Sequence, residues 1–417
     1  MESEAVRKAR AARQASYALA NADTTVKNNA LTYIADDLLA QASSIMEANA
    51  ADVAAAREKG MSDAMIDRLT LTPDRIRGMA EGVRQVIALP DPVGQTLASW
   101  DRPNGLHIDK VTVPLGVIAI IFESRPNVTV DAAVLCLKSG NATVLRGGSE
   151  AIHSNVALAG VIRHAIVRAG LPSDAVTIME NTDRALVGEL LTLRQYINLA
   201  IPRGGAGLIR MVVDTAKVPV IETGSGVCHV YVDKDADLDM AVSIIENAKV
   251  SRPSTCNAME TLLVHKDVVQ PLMEKLVPVL KARHVEMRAD TAAREAGGTG
   301  IEMASEEDWR TEYNALIMSI RTVSSLDEAL DHIRRYSTHH SETIVTENTD
   351  TAERFLQEVD SAAVYVNAST RFTDGFEFGF GAEIGISTQK LHARGPMGLE
   401  ALVSYKYLIH GKGQIRQ

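Results

Sequence analysis

Cys256 is the side chain in this sequence that is best suited to nucleophilic chemistry. It lies in the segment 254–257 (Ser-Thr-Cys-Asn), shortly after Arg252, and this polar segment is expected to form a turn between a helix and a strand. Hydroxyls, backbone N–H groups and a nearby arginine favour the thiolate, which is the reactive form of cysteine. The same pattern also fits an ordinary turn cysteine. Cys136 and Cys228 lie in apolar runs, so both are expected to be buried small hydrophobic residues.

A second polar cluster, residues 122–127 (Phe-Glu-Ser-Arg-Pro-Asn), follows a strand-like run and is expected to form a loop that faces a ligand. The side-chain N–H of Asn127 could stabilise a developing oxyanion. The guanidinium of Arg125 could hold a phosphate or a carboxylate. The alternative is a Pro-Asn turn with a solvated arginine.

Two glycine-containing segments could approach a phosphate group. The segment 147–149 (Gly-Gly-Ser) follows a predicted strand that ends at Arg146, and the segment 204–207 (Gly-Gly-Ala-Gly) follows another predicted strand. Glycine lets the backbone come close to a phosphate, and the N-terminus of a helix favours negative charge. Neither segment fits the standard dinucleotide or P-loop motif, so tight turns between strand and helix remain the alternative.

Composition and charge exclude several classes of protein. The chain has 417 residues, of which 46% are hydrophobic and 23% charged, as in a globular protein of two or three domains. Its net charge of -10 argues against a general nucleic-acid binder. We find no apolar run long enough to span a membrane, no signal segment after the charged residues 1–13, and no paired cysteine spacing. A reducing cytoplasm is therefore the expected location. The pair His339-His340 lacks the spacing of a zinc motif, so no metal site is expected.

The elements that must position these residues begin with helices and continue as strands alternating with helices. Helices are predicted over 31–59 and 72–89. The strands predicted after residue 111 are 143–146, 175–179, 196–201 and 218–222, with helices over 150–169, 184–193 and 207–216 between them. This order predicts a parallel sheet covered by helices, in which ligands bind beyond the carboxyl ends of the strands.

A second unit repeats the alternation. Its predicted strands are 227–232, 260–264, 343–346 and 363–367, and its predicted helices are 237–249, 267–284, 325–335 and 350–359. Residues 325–328 (Ser-Leu-Asp-Glu) form a capping box at the start of one helix. The Gly- and acid-rich stretch 289–308 is predicted to be a mobile loop. The tail over 402–409 is predicted to form a strand.

The order and spacing of these motifs resemble the aldehyde dehydrogenase superfamily over most of the chain. The matching stretches in the cofactor domain are 115–127, 140–146 and 169–172. Glu222-Thr223-Gly224 lies where that superfamily has Glu-Leu-Gly-Gly. Cys256 follows Glu222 by 34 residues, as the nucleophilic cysteine of the superfamily should.

Within the superfamily, the sequence is most similar to the gamma-glutamyl phosphate reductase family. The segments that carry this resemblance are 122–127, 329–344 with Tyr-Ser-Thr-His-His-Ser-Glu at 336–342, 369–375 and 392–396. The resemblance implies NADPH-dependent reduction of L-glutamyl 5-phosphate to L-glutamate 5-semialdehyde and phosphate through a cysteine thioester. This reaction is the second step of proline biosynthesis from glutamate.

The resemblance also implies roles for individual residues. The catalytic residues would be Cys256 as nucleophile, Asn127 as an oxyanion donor together with the Cys256 N–H, and Glu222 in a role open between proton transfer and structural support. The residues for NADPH would be Arg146, Gly147, Ser149, Arg203, Gly204, Gly205 and Glu312. Arg146 with Ser149 would also suit a 2′-phosphate, because a guanidinium matches phosphate geometry. The substrate residues would be Arg125, Arg252 and Arg371, without an assignment of phosphate or α-carboxylate to any one of them.

The fold implied is α/β and aldehyde dehydrogenase-like, with two Rossmann-like parallel-sheet domains and a small β oligomerisation flap. The NADPH-binding domain would comprise 1–105, 116–225 and part of 368–401, the catalytic domain 226–367, and the flap 106–115 with 402–417. The edges of the flap strands suit a second subunit, so a homo-oligomer, dimer or tetramer, is expected. An association with the upstream glutamate 5-kinase would protect a labile acyl phosphate.

Two other functions remain open from the residues. An oxidising or acyl-CoA-using member of the same superfamily would keep the cysteine but change the acyl acceptor. A non-catalytic scaffold would keep the fold without the chemistry, although such proteins lose the nucleophile early. The intact Cys256, Asn127 and cofactor loops favour an enzyme.

Overall fold

The computed structural model describes residues 2–416, and its N-terminal part is helical. The helices are α1 (Glu4–Leu19), α2 (Thr24–Ala40), α3 (Ala42–Glu58), α4 (Asp63–Leu69) and α5 (Pro73–Ala88). Side chains of Ser3, Asp23 and Thr72 cap three of them by accepting a backbone N–H from the first turn. The single helix predicted over 31–59 is wrong. Gln41 takes a non-helical conformation (φ -103°, ψ 16°) and its N–H closes α2 on the carbonyl of Asp37, so α3 starts anew.

A parallel sheet follows two antiparallel strands, β1 (Thr96–Asp101) and β2 (His107–Pro114). Its elements are β3 (Val117–Phe122), α6 (Asn127–Lys138), β4 (Ala142–Arg146), α7 (Ile152–Arg168), β5 (Val176–Ile178), α8 (Ala185–Leu190), β6 (Leu199–Arg203) and α9 (Ala206–Thr215). The strand order is β5-β4-β3-β6, and all the pairs are parallel. Both β3 and β4 are buried along their whole length, because helices cover both faces of the sheet.

The strand predicted over 218–222 is wrong, because this segment makes only an isolated bridge between Val220 and Ala200. Pro219 has no N–H to donate to a ladder. The N–H of Glu222 is taken instead by the side chain of Gln389, at 2.6 Å. The chain therefore leaves the sheet edge and runs toward the second unit.

The second parallel sheet has the strand order β10-β9-β11-β8-β7-β12-β13. Its elements are β7 (Cys228–Val232), α10 (Leu238–Val250), β8 (Met259–His265), α11 (Val269–Ala282), β9 (Glu286–Ala289), α12 (Thr291–Gly297), β10 (Glu302–Met303), β11 (Ile317–Val323), α13 (Leu326–Tyr336), β12 (Ser341–Val345), α14 (Thr349–Glu358) and β13 (Ala363–Val366). The strands β9, β10 and β11 were not predicted from the sequence pattern. One half of the capping box is confirmed, since the Ser325 side chain accepts the N–H of Glu328, whereas the Glu328 carboxylate accepts the N–H of Ser324 and not that of Ser325.

The prediction of a mobile loop over 289–308 is wrong. The stretch contains α12 and β10, and Asp290 caps α12 by accepting the N–H of Ala293 at 2.9 Å. The same carboxylate accepts the N–H of Thr322 at 2.7 Å, which ties the stretch to β11. A glycine- and acid-rich composition is thus explained by capping and tight turns.

The remaining strands complete the flap and a small hairpin. They are β14 (Ile386–Ser387), β15 (Gly395–Pro396) and β16 (Val403–His410). An antiparallel sheet of order β1-β2-β16 forms the flap. The expected pair over 106–115 and 402–417 therefore gains β1 as a further strand, although the sequence-based division had assigned these residues to the cofactor domain. No helix within residues 2–416 is long and apolar enough to cross a membrane.

Candidate active site

Cys256 lies in the turn between α10 and β8, where the sequence predicted it. Loop residues on the other side of the turn hold its backbone in place. A Cβ at Gly226 would overlap the Cys256 carbonyl oxygen, so only glycine fits there. The thiol of Cys228 donates to that same carbonyl oxygen, with Sγ 3.1 Å away. The N–H of Gly226 donates in turn to Glu312 Oε1 at 2.8 Å. The backbone of the nucleophile is thus fixed by its neighbours.

The thiol of Cys256 is less acidic than the sequence suggested. Burial raises its pKa to about 11, and the negative charges of Glu383 and Glu312 act in the same direction. The positive charge of Arg203 opposes them. Local hydroxyls and Arg252 were expected to favour the thiolate, whereas the partial burial of Cys256 in the folded protein acts against it. Cys136 and Cys228 are buried, as predicted.

Asn127 is the first residue of α6, directly after the loop that follows β3. Its Nδ2 donates to Asp131 Oδ2, one helical turn later, at 2.9 Å. An amide nitrogen carries two hydrogens, so one remains for an oxyanion. Burial raises the pKa of Asp131 to about 6, and the Asn127 hydrogen bond and Arg203 counteract the shift.

Arginine side chains gather around the Cys256 turn. Desolvation lowers the pKa of Arg125, as do the positive charges of Arg203, Arg68 and Arg252, while Cys256 acts in the opposite direction. Because these charged groups shift one another's pKa values, they lie close together. A cluster of like charges favours binding of an anion, because an anion relieves their mutual repulsion.

Arg371 joins this cluster from the loop after β13. Its Nε donates to Ser251 Oγ at 3.1 Å and its Nη1 to Thr255 Oγ1 at 3.0 Å and to Asn257 Oδ1. These partners are neutral, and the negative charge of Asp374 also acts on Arg371, which braces the Cys256 turn. The structure therefore brings Cys256 together with all three arginines that were expected to bind substrate, whereas Asn127 contacts Asp131, on which the charge of Arg203 acts.

The residues expected to hold the cofactor fall into separate groups. Arg146 ends β4, is buried, and donates to the carbonyl oxygens of Gly147 at 2.7 Å and Thr182 at 2.8 Å. Burial lowers its pKa. A Cβ at Gly147 would overlap the amide of Asn155, and Ser149 is exposed. The structure thus gives Arg146 a role in shaping this loop.

Gly204 and Gly205 lead from β6 into α9 and are exposed. The N–H of Gly205 donates to Glu123 Oε2 at 3.1 Å, so a carboxylate already sits at the start of this helix. Beside α9 lies a groove of about 290 Å³. It is lined by Ala206, Ile209, Arg210, Val213, Glu222, Thr223, Gly224, Ser225, Thr338 and Thr388. The groove joins a helix N-terminus, which favours anions, to the segment that contains Glu222.

Two of the expected cofactor residues lie toward the nucleophile. Arg203 acts on the pKa of Cys256, Arg125 and Asp131, so it belongs to the cluster around the thiol. Glu312 also acts on the thiol and holds Gly226. Glu222 lies in the wall of the groove beside α9.

Sequence reasoning missed three carboxylates close to this cluster. Asp131, Asp374 and Glu383 line a cavity of about 210 Å³ together with Arg203. Asp131 could have been found from its position one helical turn after Asn127. Asp374 lies within the segment 369–375 that carried the family resemblance, whereas Glu383 had no signal in the sequence.

Comparisons with known proteins agree with this architecture. The model of the "Aldehyde dehydrogenase family" matches residues 2–298. The gamma-glutamyl phosphate reductase of Moorella thermoacetica is 58% identical over 410 residues and covers 98% of both chains. That of Halothermothrix orenii is 55% identical over 100% of both chains. The crystal structure of the gamma-glutamyl phosphate reductase of Thermotoga maritima superposes with a TM-score of 0.97 at 50% identity over 100% of both chains.

These matches confirm the fold class expected from the sequence, an α/β aldehyde dehydrogenase-like fold with parallel sheets and a small antiparallel sheet. They also confirm the resemblance on which the expected chemistry was based. The chain belongs to the gamma-glutamyl phosphate reductase family, within the aldehyde dehydrogenase family.

Proposed function

We propose that this protein reduces L-glutamyl 5-phosphate to L-glutamate 5-semialdehyde and phosphate with NADPH, as the second step of proline biosynthesis from glutamate. Family membership supports the reaction. The observation that carries it is the juxtaposition of Cys256 with a cluster of arginines. Such a cluster suits a substrate that bears both a phosphate and a carboxylate.

The first step is attack of the Cys256 sulfur on C5 of the acyl phosphate. Because burial raises the pKa of the thiol, the sulfur gives up its proton as it attacks, and that proton ends on the departing phosphate. Arg203 favours the negative charge on sulfur. Asn127 Nδ2 and the Cys256 N–H donate to the tetrahedral oxyanion, and one such donor contributes about 3–4 kcal/mol to barrier lowering. Phosphate leaves with the C5–O electron pair, and a thioester remains on Cys256.

The arginines orient the substrate for this attack. Arg371 is braced on the Cys256 turn, and Arg125 and Arg252 stand beside it with their positive charges. They hold the phosphate and stabilise the charge that it gains on leaving. After reduction, the hemithioacetal collapses, the C5–S bond breaks, and the Cys256 thiolate takes back a proton.

NADPH suits the groove beside α9. The Gly205 N–H already binds the Glu123 carboxylate, so this helix end accepts an anion. Gly204 and Gly205 would line the approach of the pyrophosphate, Gly147 and Ser149 with Arg146 would lie near the adenosine ribose, and Glu312 near the other ribose. Arg203, also expected at the cofactor, lies toward the thiol instead. Bound NADPH supplies the hydride that reduces the thioester. Glu222 in the groove wall would position the cofactor, because water activation would waste the thioester.

The reverse reaction tests this function. NADP⁺ reduction by L-glutamate 5-semialdehyde should require inorganic phosphate, and Cys256→Ser should abolish it. Phosphate-independent NADP⁺ reduction would instead support an aldehyde-oxidising relative, and dependence on coenzyme A an acyl-CoA-using one. A protein that binds no NADPH would support the scaffold.

The flap and the location of the protein complete the proposal. Exposed Trp100 packs edge-on against Tyr407 with ring centroids 6.1 Å apart, and Tyr405 flanks Tyr407 at 5.7 Å. This aromatic face on β1 and β16 is the surface through which we propose that the protein forms a homo-oligomer, dimer or tetramer.

We place the protein in the cytoplasm, where the thiol stays reduced. Association with the upstream glutamate 5-kinase would shorten the exposure of the acyl phosphate to water.

A further inference from the structure

A cavity of about 210 Å³ next to the Cys256 cluster has an unusual charge pattern. Its lining residues are Gly82, Val83, Val86, Asp131, Val134, Arg203, Asp374, Phe376, Ala382 and Glu383. Among these lining residues of the described chain, three carboxylates stand against one guanidinium. The cavity lies close to the nucleophile, because the charges of two of its lining residues, Glu383 and Arg203, act on the Cys256 thiol. Attack on an acyl phosphate needs no such carboxylate group, so the pattern requires another explanation.

The three carboxylates come from two separate parts of the fold. Asp131 lies on α6 and accepts from Asn127, whereas Asp374 and Glu383 lie in the loop after β13. That loop is tied together by its own backbone, since Gly375 N–H donates to Glu383 at 3.0 Å and Phe376 N–H donates to Asp374 at 2.9 Å. The hydrogen bonds fix the carboxylates without neutralising them.

Two of the carboxylates, Glu383 and Asp131, are short of positive charge, whereas Asp374 also faces the charge of Arg371. Burial raises the pKa of Glu383 to about 7, and the negative charge of Asp374 raises it further, while Arg203 lowers it. Asp131 is shifted in the same direction by burial. A second cation in the cavity would favour the ionised form of both groups. A small cation with several N–H donors fits this need best, because each carboxylate oxygen can accept one of them.

We propose that this cavity binds the amino-acid head of the substrate, with Asp131, Asp374 and Glu383 around the α-ammonium group and Arg203 paired with the α-carboxylate. The inference rests on the proposed function, because only an α-amino-acid substrate carries these two groups. The proposal also assigns different roles to the arginines. Arg203 binds the α-carboxylate, and Arg125, Arg252 and Arg371 bind the phosphate. The cavity would then select α-amino acyl substrates over simple acids of the same length.

Holding the nitrogen as ammonium has a chemical consequence at the thioester stage. A free α-amine could attack C5 with its lone pair, form a C5–N bond and expel the Cys256 thiolate. The product would be a five-membered lactam, with the amine proton passing to solvent. An ammonium group has no lone pair for this attack. The carboxylates would therefore protect the thioester as well as select the substrate.

The test compares two aldehydes in the phosphate-dependent reverse reaction. One is L-glutamate 5-semialdehyde, and the other is 5-oxopentanoate, which has the same chain without the α-amino group. Concentrations are expressed as free aldehyde, because the amine of the first condenses reversibly with its own aldehyde. The unmodified protein should prefer the semialdehyde. Glu383→Gln and Asp374→Asn should lower kcat/KM for the semialdehyde about tenfold or more, as for loss of one charged hydrogen bond, and leave 5-oxopentanoate nearly unchanged.

Two controls make the result decisive. Glu353→Gln removes an exposed carboxylate on α14 and should change neither substrate. Lactam formation from L-glutamyl 5-phosphate, corrected for the enzyme-free rate, should rise in Glu383→Gln relative to the unmodified protein. A parallel loss with both aldehydes would overturn the proposal, since it would show that Glu383 supports catalysis or folding in general and not recognition of the ammonium group. Unchanged kinetics with both aldehydes would overturn it as well. If the unmodified protein itself used neither aldehyde, the proposed function would fall, and this inference with it.

Discussion

Two groups of charged residues with opposite net sign lie near the Cys256 turn, and we call them the two sides of the site. On one side Arg125, Arg252 and Arg371 present guanidinium groups to the nucleophile. On the other side a cavity lined by carboxylates contains Arg203. A substrate with a phosphate at one end and an ammonium group at the other can enter this cleft in only one direction. The contrast indicates that charge orients the substrate and places C5 at the sulfur.

Arg203 stands between the two sides, and its loss should have the largest effect. Arg203→Met removes the partner of the α-carboxylate and the positive charge that favours the Cys256 thiolate. Two charged interactions at about 1.5–3 kcal/mol each correspond to a decrease of about 10³-fold in kcat/KM. Steady-state kinetics of the reverse reaction measure it, with Arg194→Met on the surface as control. A decrease of less than about tenfold would contradict the placement of Arg203 in both sites.

Asn127 links the oxyanion position to the carboxylate cavity through Asp131. Asn127→Ala removes one oxyanion donor, so kcat should fall about 10²-fold with little change in the KM for phosphate. The same substitution removes the hydrogen bond that holds down the pKa of Asp131, which should rise above about 6. Below that pKa the carboxyl is neutral and binds ammonium less well. As the pH is lowered, the KM for the semialdehyde should therefore rise in both proteins, and in the variant this rise should begin at a higher pH. A loss of affinity without loss of kcat would assign Asn127 to binding alone.

Substitutions on the two sides should change the KM values of different substrates in the reverse reaction. Arg252→Met should raise the KM for phosphate about tenfold and leave the KM for the aldehyde nearly unchanged, because it removes one charged partner of the phosphate. Glu383→Gln should do the opposite. Initial rates measured over a grid of phosphate and aldehyde concentrations provide both constants. If both substitutions shifted the same constant, the division of the cleft into two sides would be wrong.

Alkylation of the thiol should show the smallest effects. Because the pKa of Cys256 is about 11, its rate of reaction with iodoacetamide should rise with pH throughout the range from neutrality to that value. Glu383 disfavours the thiolate, so Glu383→Gln should lower the thiol pKa and speed alkylation at pH 8 about twofold. Arg203→Met should slow it. Mass spectrometry identifies the modified cysteine, and a flat rate between pH 7 and pH 10 would disprove the raised pKa.

Hydrophobic patterning was sufficient to predict most of the fold. Most strands and helices between β3 and α14 follow from local periodicity, and family motifs indicated the position of Cys256. Local periodicity did not predict α6, β9, α12, β10 and β11. The errors have tertiary causes. Pro219 and the side chain of Gln389 end a strand that composition alone favours, and Asp290 orders a stretch whose glycines indicated mobility.

The chemistry of the site was harder to predict than its location. Local sequence around Cys256 suggested a thiolate, yet desolvation by distant parts of the chain raises the thiol pKa. The carboxylate cavity combines α6 with a loop more than two hundred residues later, so no local pattern contains it. Roles that depend on one turn could be predicted, whereas roles that depend on packing could not.

The most direct test of the central claim is to trap the acyl group on Cys256. The protein is incubated with L-glutamate 5-semialdehyde and NADP⁺ without phosphate, digested, and analysed by mass spectrometry. We expect one glutamyl group in thioester linkage on the Cys256 peptide, which disappears when inorganic phosphate is added. An acyl group on another residue, or full turnover by Cys256→Ser, would contradict the account.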